Sequence, residues 1–286
     1  MNSESGAAVS TQAHLRAHSV TLAYGRHIVA RRLDVGIPTG AFTAVVGPNA
    51  CGKSTLLRAL ARLHRPAGGS VLLDGQDIAR LNTKEVARRV GLLPQTARTP
   101  ERMTVEDLVA RGRFPHQRLL SQWSDDDRAA VQRAMDLMRV SALAQRPVDE
   151  LSGGQRQRAW LALVLAQDTE TILLDEPTTF LDVAHQIEIL ELCQQLNAEG
   201  RTVVAVLHDL NQAARCAQHM IAMNAGQVYA EGAPSSVVTE DLLNDVFGLP
   251  ALVVPDPVAG TPMVVPYGPL PRRTSSTATV QDSSSA

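Results

Sequence analysis

The sequence predicts an α/β fold carrying an inserted α-helical subdomain. Three observations lead there. Short apolar runs recur without polar alternation, the pattern of strands buried on both faces of a parallel sheet. Stretches with helical spacing fall between these runs, so strands and helices alternate. Residues 104–165 break the alternation, with helical spacing, many charges and few β-branched runs.

In chain order, a largely apolar run from Val20 to Ala23 ends at Tyr24, and the next apolar run suited to a strand is Phe42–Val46. A helix is expected over 54–63, a strand over 71–73, a helix over 83–88 and a strand over 91–93. Within the inserted stretch, residues 125–140 read as an amphipathic helix with Val131, Ala134, Met135 and Met138 on one face. Alternation resumes with a strand at 172–174, a helix at 186–196, a strand at 203–207 and a helix at 211–218. Two short apolar runs around Pro255-Asp256-Pro257 and Gly260-Thr261-Pro262 suggest a terminal hairpin within 252–266. Residues 14–269 are expected to form a single domain, with the helical subdomain at about 96–165. Residues 1–13 and the Ser/Thr-rich stretch 270–286 are expected to be disordered. No internal repeat is visible.

Bulk properties narrow the function. A net charge of −2 gives no sign of a nucleic-acid binder. The apolar runs fall far short of the roughly 20 residues of a membrane span. The polar N-terminus lacks the apolar core of a signal peptide. The chain is therefore expected in the cytosol unless a partner holds it at a membrane. Cys51, Cys193 and Cys216 are widely spaced, which argues against a disulfide framework or a zinc site. The eight histidines are scattered, so no metal cluster is expected.

Two stretches carry phosphate chemistry. Gly47-Pro48-Asn49-Ala50-Cys51-Gly52-Lys53-Ser54 matches G-x-x-x-x-G-K-[ST] at every fixed position. A chance match in such a chain is roughly a one in a hundred event, and the apolar strand before and helical run after make it rarer still. Glycines let backbone amides turn inward around phosphate oxygens, and the following helix N-terminus adds positive potential. Lys53 is expected to reach the β- and γ-phosphates of a nucleotide, Ser54 to ligate Mg²⁺ and Thr55 to hold the α-phosphate. Cys51, a thiol inside this loop, is expected to be shielded by bound ATP, the bland alternative being a small residue that fits the turn. Downstream, Thr171-Ile172-Leu173-Leu174 ends in Asp175-Glu176. Two carboxylates ending a buried strand are costly unless they meet a cation or water.

Between the two lies Leu151-Ser152-Gly153-Gly154-Gln155. The three stretches together, in this order, resemble the ATP-binding-cassette (ABC) ATPases over nearly the whole chain. The resemblance implies a P-loop NTPase core, a RecA-like mixed sheet with flanking helices, joined to the helical subdomain. It implies ATP and Mg²⁺ as cofactors. Asp175 matches the family's Mg²⁺-coordinating aspartate and Glu176 its general base. His208 matches the switch histidine at the γ-phosphate, and Gln95 the glutamine that senses Mg²⁺ and the attacking water. Tyr24 matches the adenine-stacking residue, though a strand-end core tyrosine is the plain alternative. Ser152, Gly153, Gly154 and Gln155 open another helical run, a second anion-binding helix N-terminus. In the family this signature closes on the other cassette's γ-phosphate, and Asp182 matches the D-loop that crosses the interface. A second ATPase subunit, most simply a second copy, is implied.

The kind of cassette is read from what surrounds these motifs. Long heptad insertions of DNA-repair types, the paired cassettes of ribosome-acting types and the fused membrane helices of many exporters are not in this sequence. Arg111-Gly112-Arg113-Phe114-Pro115-His116 is similar to a segment of ferric-siderophore importer ATPases, with a solvated basic loop as the bland alternative. The run Pro255-Asp256-Pro257-Val258-Ala259-Gly260-Thr261-Pro262 is similar to the ends of siderophore ATPases. The resemblance implies an ATP-hydrolysing motor for iron(III)-siderophore uptake at the cytoplasmic face of the membrane. Its partners would be permease subunits and, through them, an extracytoplasmic siderophore-binding protein. An ATPase of a vitamin B12, haem or zinc/manganese importer, or of a separate-chain exporter, is the alternative.

Overall fold

The structure, a computed structural model, describes residues 13–95, 101–117, 123–179 and 181–267. The tail at 270–286 and all of 1–13 but Ala13 lie outside them. Ala13 itself begins a strand.

A long antiparallel hairpin, β1 (Ala13–Tyr24) and β2 (His27–Pro38), opens the chain. β3 (Phe42–Val46) leads through a glycine-containing loop into α1 (Lys53–Leu60), followed by β4 (Gly68–Leu73) and β5 (Gln76–Asp77). Next come α2 (Thr83–Arg89) and β6 (Val90–Leu93), then a helical layer of α3 (Val105–Ala110), α4 (Asp125–Leu137) and α5 (Gly153–Ala166). Alternation returns with β7 (Thr171–Asp175), α6 (Val183–Ala198), β8 (Thr202–Val206), α7 (Leu210–Cys216), β9 (His219–Asn224) and β10 (Gln227–Gly232). The short α8 (Pro234–Val237), α9 (Glu240–Phe247) and a hairpin of β11 (Ala251–Pro255) and β12 (Pro262–Pro266) follow.

The strands form a six-stranded sheet, order β10-β9-β3-β8-β7-β6, and a four-stranded antiparallel sheet, order β2-β1-β4-β5. In the larger sheet β10 alone runs antiparallel to its neighbour. Every residue of β3, β7 and β8 is buried, Thr43, Thr171, Thr202 and Asp175 included. Their side chains alternate between two cores. Phe42, Ala44 and Val46 join one core with α3–α6, while Val45 joins Leu56, Leu57 and Leu60 of α1 and the smaller sheet in the other. Burying each such leucine contributes roughly 1.5–3 kcal/mol. The loop after β3 and the start of α1 are thus clamped between two sheets.

In the helical layer, Val131, Ala134, Met135 and Met138 are all buried, as their spacing requires. Ser124 starts α4 with a reciprocal cap: its hydroxyl accepts the Asp127 amide and the Asp127 carboxylate accepts the Ser124 amide.

The structure corrects the sequence reading in places. Residues 71–73 are not a parallel strand; β4 pairs antiparallel with β1, and Val71 and Leu73 alternate with a half-exposed Leu72. The helix expected to reach residue 63 stops at Leu60. Arg62 takes φ 61°, and the amides of Leu63 and His64 both turn back to the Arg58 carbonyl, a left-handed cap.

Candidate active site

Gly47 leaves β3 with φ 146° and Gly52 precedes α1 with φ 107°. A Cβ on Gly47 would lie 2.2 Å from the Met223 carbonyl oxygen, so only glycine fits. Gly52 offers α1 no side-chain cap, which leaves the first amides of that helix free of a local acceptor. Lys53 is 5% exposed. Its Nζ donates to the Gly47 and Pro48 carbonyls, each at 2.8 Å, and so curls back across the loop.

The loop faces the ends of β6, β7 and β8, where a parallel sheet gathers ligands. Ser54 Oγ donates to Asp175 Oδ1 at 2.7 Å. Asp175 Oδ2 is buried and has no hydrogen-bond partner among the described residues. Burial pushes the Asp175 carboxyl above its usual range, against the pull of the Ser54 hydrogen bond and the Arg58 charge. Glu176 adopts φ 56°, an uncommon conformation for its type and a frequent mark of functional sites. Its Oε1 meets His208 Nε2 at 2.9 Å, and its Oε2 accepts from Thr179 Oγ1 at 3.2 Å. Asn49, Ala50, Gly52, Lys53, Ser54, Thr55, Gln95, Glu176 and His208 line one cavity of about 650 Å³ together with His27 and Val29. That volume is ordinary for a small-molecule site.

Not every expected residue converges. Tyr24 stands outside the cavity lining; its ring leans on His64, centroids 4.7 Å apart, and its hydroxyl accepts from Arg58 at 3.4 Å. Its cross-strand partner His27 lines the cavity instead. Cys51 contributes backbone to the loop, but its side chain is 5% exposed and packs in the core beneath. The fitting-the-turn reading thus replaces the shielded-thiol one. Thr179, which holds the second oxygen of Glu176, carried no signal in the sequence.

The signature is built apart from this cavity. Ser152 caps α5: its Oγ accepts the Gln155 amide at 3.3 Å, and Gln155 Oε1 accepts the Ser152 amide at 3.2 Å. Ser152 and Gly153 are exposed. Around Gly153 an added Cβ would meet nothing within 4 Å, and around Gly154 only Leu181 Cδ2 at 3.3 Å. Asp182 is exposed and caps α6, accepting the His185 amide at 2.9 Å. That hydrogen bond, with His185's ring, holds its carboxyl below the usual range. Gln157 of α5 donates to the Pro177 carbonyl at 3.0 Å, tying the signature helix to the turn after Glu176.

The 111–116 run is not a solvated basic loop. Arg113 is 7% exposed, donating to Asp127 Oδ1 and to the Ala166 carbonyl, both at 2.8 Å. Arg88 of α2 donates to the Pro115 carbonyl at 2.8 Å. The turn fastens α4, α5 and α2 together and leaves Phe114 half exposed.

The family described as ABC transporter matches residues 30–179. The ferric enterobactin transport ATP-binding protein of Escherichia coli (strain K12) is 56% identical, covering 90% of this chain and 95% of that protein. The achromobactin transport ATP-binding protein of Dickeya dadantii (strain 3937) is 49% identical, covering 89% and 95%. Among solved structures, a dimeric ATP-binding cassette in a post-hydrolysis state, bound to ADP and Pi, superposes with a TM-score of 0.68. It is 28% identical and covers 77% of this chain and 98% of that one.

Proposed function

Because the chain belongs to the ABC transporter family, we propose that it is the ATP-hydrolysing motor of an importer for iron(III)-siderophore complexes. It works as a homodimer, held at the cytoplasmic face of the membrane by permease subunits that receive cargo from an extracytoplasmic siderophore-binding protein. For ATP hydrolysis, the observation that carries most is the convergence of Lys53, Ser54 and the Glu176–His208 pair on one cavity, with Asp175 hydrogen-bonded behind Ser54. For the cargo, support comes from relatives of siderophore transport that match nine-tenths of the chain. Among the described residues no helix is long and apolar enough to cross a membrane, so attachment through a partner fits.

The residues fit Mg²⁺. A buried carboxylate oxygen without a donor, Asp175 Oδ2, beside a serine hydroxyl is a hard-oxygen pair that suits this ion. Ser54 and Asp175 would hold it, and when bound it supplies neutralising charge at the phosphates. Lys53 already bridges two carbonyls; phosphate oxygens would replace those acceptors, and the free amides of α1 would cradle the same group. Glu176 orients the attacking water and accepts its proton. His208 and Thr179 each hold one oxygen of that carboxylate and so fix its direction.

Glu176→Gln tests the hydrolysis assignment. Turnover should fall about 10²- to 10⁴-fold while ATP binding persists, and an ATP-bound dimer should accumulate in light scattering. Undiminished turnover would overturn it. The cargo is tested in a deletion strain, which should lose uptake of radiolabelled ferric siderophore and recover growth with excess soluble iron. Normal ferric-siderophore uptake with loss of zinc, manganese or cobalamin uptake would keep the ATPase and change the cargo.

A further inference from the structure

The β11–β12 hairpin is fastened to the helix that follows His208. Asp209 caps α7, accepting the amides of Asn211 at 2.8 Å and Gln212 at 3.0 Å. One face of α7 is core, with Leu210, Ala213 and Ala214 buried. From another, two side chains one helical turn apart reach the hairpin. Asn211 pairs both ways with the backbone of Val264: its Nδ2 donates to the carbonyl at 3.2 Å, and its Oδ1 accepts the amide at 2.7 Å. Arg215 Nε donates to Asp256 Oδ2 at 2.5 Å. The other oxygen of Asp256 accepts the amides of Val258 at 2.8 Å and Ala259 at 3.1 Å. One carboxylate thus closes the hairpin turn and ties it to the helix. Asp256 is 3% exposed, and these donors, Arg215 foremost, pull its carboxyl down to about 2.

His208 stands two residues before α7 begins, with a side chain 46% exposed. A ring so exposed has little packing of its own to fix it against Glu176. Its place is inherited from the backbone that α7 anchors.

We propose that the terminal hairpin positions the hydrolytic pair: Asn211, Arg215 and Asp256 hold α7, and through it His208, against Glu176. The 255–262 run, noted in the sequence only as a likeness to the ends of siderophore ATPases, then serves ATP turnover through α7. These are positioning residues outside the cavity lining, and the proposal rests on the assignment of His208 and Glu176 to hydrolysis.

The test is steady-state ATPase kinetics of the full chain, well below each variant's unfolding midpoint, for Asn211→Ala, Asp256→Asn, Asp256→Glu and His208→Ala. Asn211→Ala and Asp256→Asn should lower kcat about three- to tenfold and leave the KM for ATP unchanged, and Asp256→Glu should recover part of the loss. Should Asp256→Asn fail to fold, Asn211→Ala carries the test alone. Wild-type kcat in both, with only a lowered unfolding midpoint, would make the hairpin a staple and overturn the proposal. Wild-type kcat in His208→Ala would instead overturn the assignment of the site on which it stands.

Discussion

Two helix N-termini in this chain are suited to phosphate, and they are built in opposite ways. The start of α1 is closed and incomplete in its own bonding: no side chain caps it, Gly47 is pressed against the Met223 carbonyl, and Lys53 is buried across the loop. The start of α5 is open and self-sufficient. Ser152 and Gln155 cap each other, and nothing crowds Gly153. The protein's own packing demands glycine at 47 and makes no demand at 153. A glycine that nothing among the described residues requires fits a surface that arrives from outside, which is how a second copy would use it. The Ser152 hydroxyl accepts within the cap, yet its proton stays free to donate to an incoming oxygen.

This contrast breaks most visibly at the two glycines. Gly47→Ala should cost on the order of 3 kcal/mol in stability, since backbone has to move, and abolish ATP binding in calorimetry. Gly153→Ala should leave the stability equal or slightly higher, by at most about 1 kcal/mol, and bind ATP normally. Its turnover should still drop about tenfold or more. Equal damage to stability at both positions would erase the distinction.

A smaller effect sharpens it through pH. Burial raises the Asp175 carboxyl above its ordinary value of 3.8, so the folded state binds more protons than the unfolded chain. Its contribution to stability therefore falls as pH rises from 3.8 through the raised value. Asp175→Asn, still able to accept from Ser54, should be more stable at neutral pH by on the order of 1 kcal/mol and lose Mg²⁺-dependent hydrolysis. Lower stability than wild type at neutral pH would contradict this. Asp182 has the opposite slope. Its folded value is depressed by the His185 amide, so its contribution is present above 3.8 and fades as pH falls below it. Because that cap is exposed, Asp182→Asn should flatten the acid limb of the unfolding curve only slightly; a large change would place Asp182 in a tighter setting than the free chain shows.

The sequence and the structure agree where spacing is local and disagree where contacts are distant. The loop from Gly47 to Ser54 and the pair Asp175-Glu176 are legible because their chemistry needs neighbouring residues on a strand end. The strands Phe42–Val46, 172–174 and 203–207 are legible because both faces are buried. The β1–β2 hairpin was mostly hidden, since register shifts and positive φ at Ser19 and Arg32 break its alternation. The burial of Arg113 is not legible in the sequence because its partner Asp127 lies on a separate helix. The Glu176–His208 contact joins two strand ends, and Cys51 looked like a site thiol because a loop's sequence does not tell which side chains point inward.

These two unlike helix ends are expected to form one site only when two copies meet. Mixing a Lys53→Ala chain with a Ser152→Arg chain and measuring ATPase activity tests it most directly. In a head-to-tail pair, one site carries both lesions and the other is intact. Each variant alone should be nearly inactive, and the mixture should regain part of the wild-type rate. A mixture no more active than its two components, or a Ser152→Arg chain that hydrolyses ATP normally by itself, would contradict it.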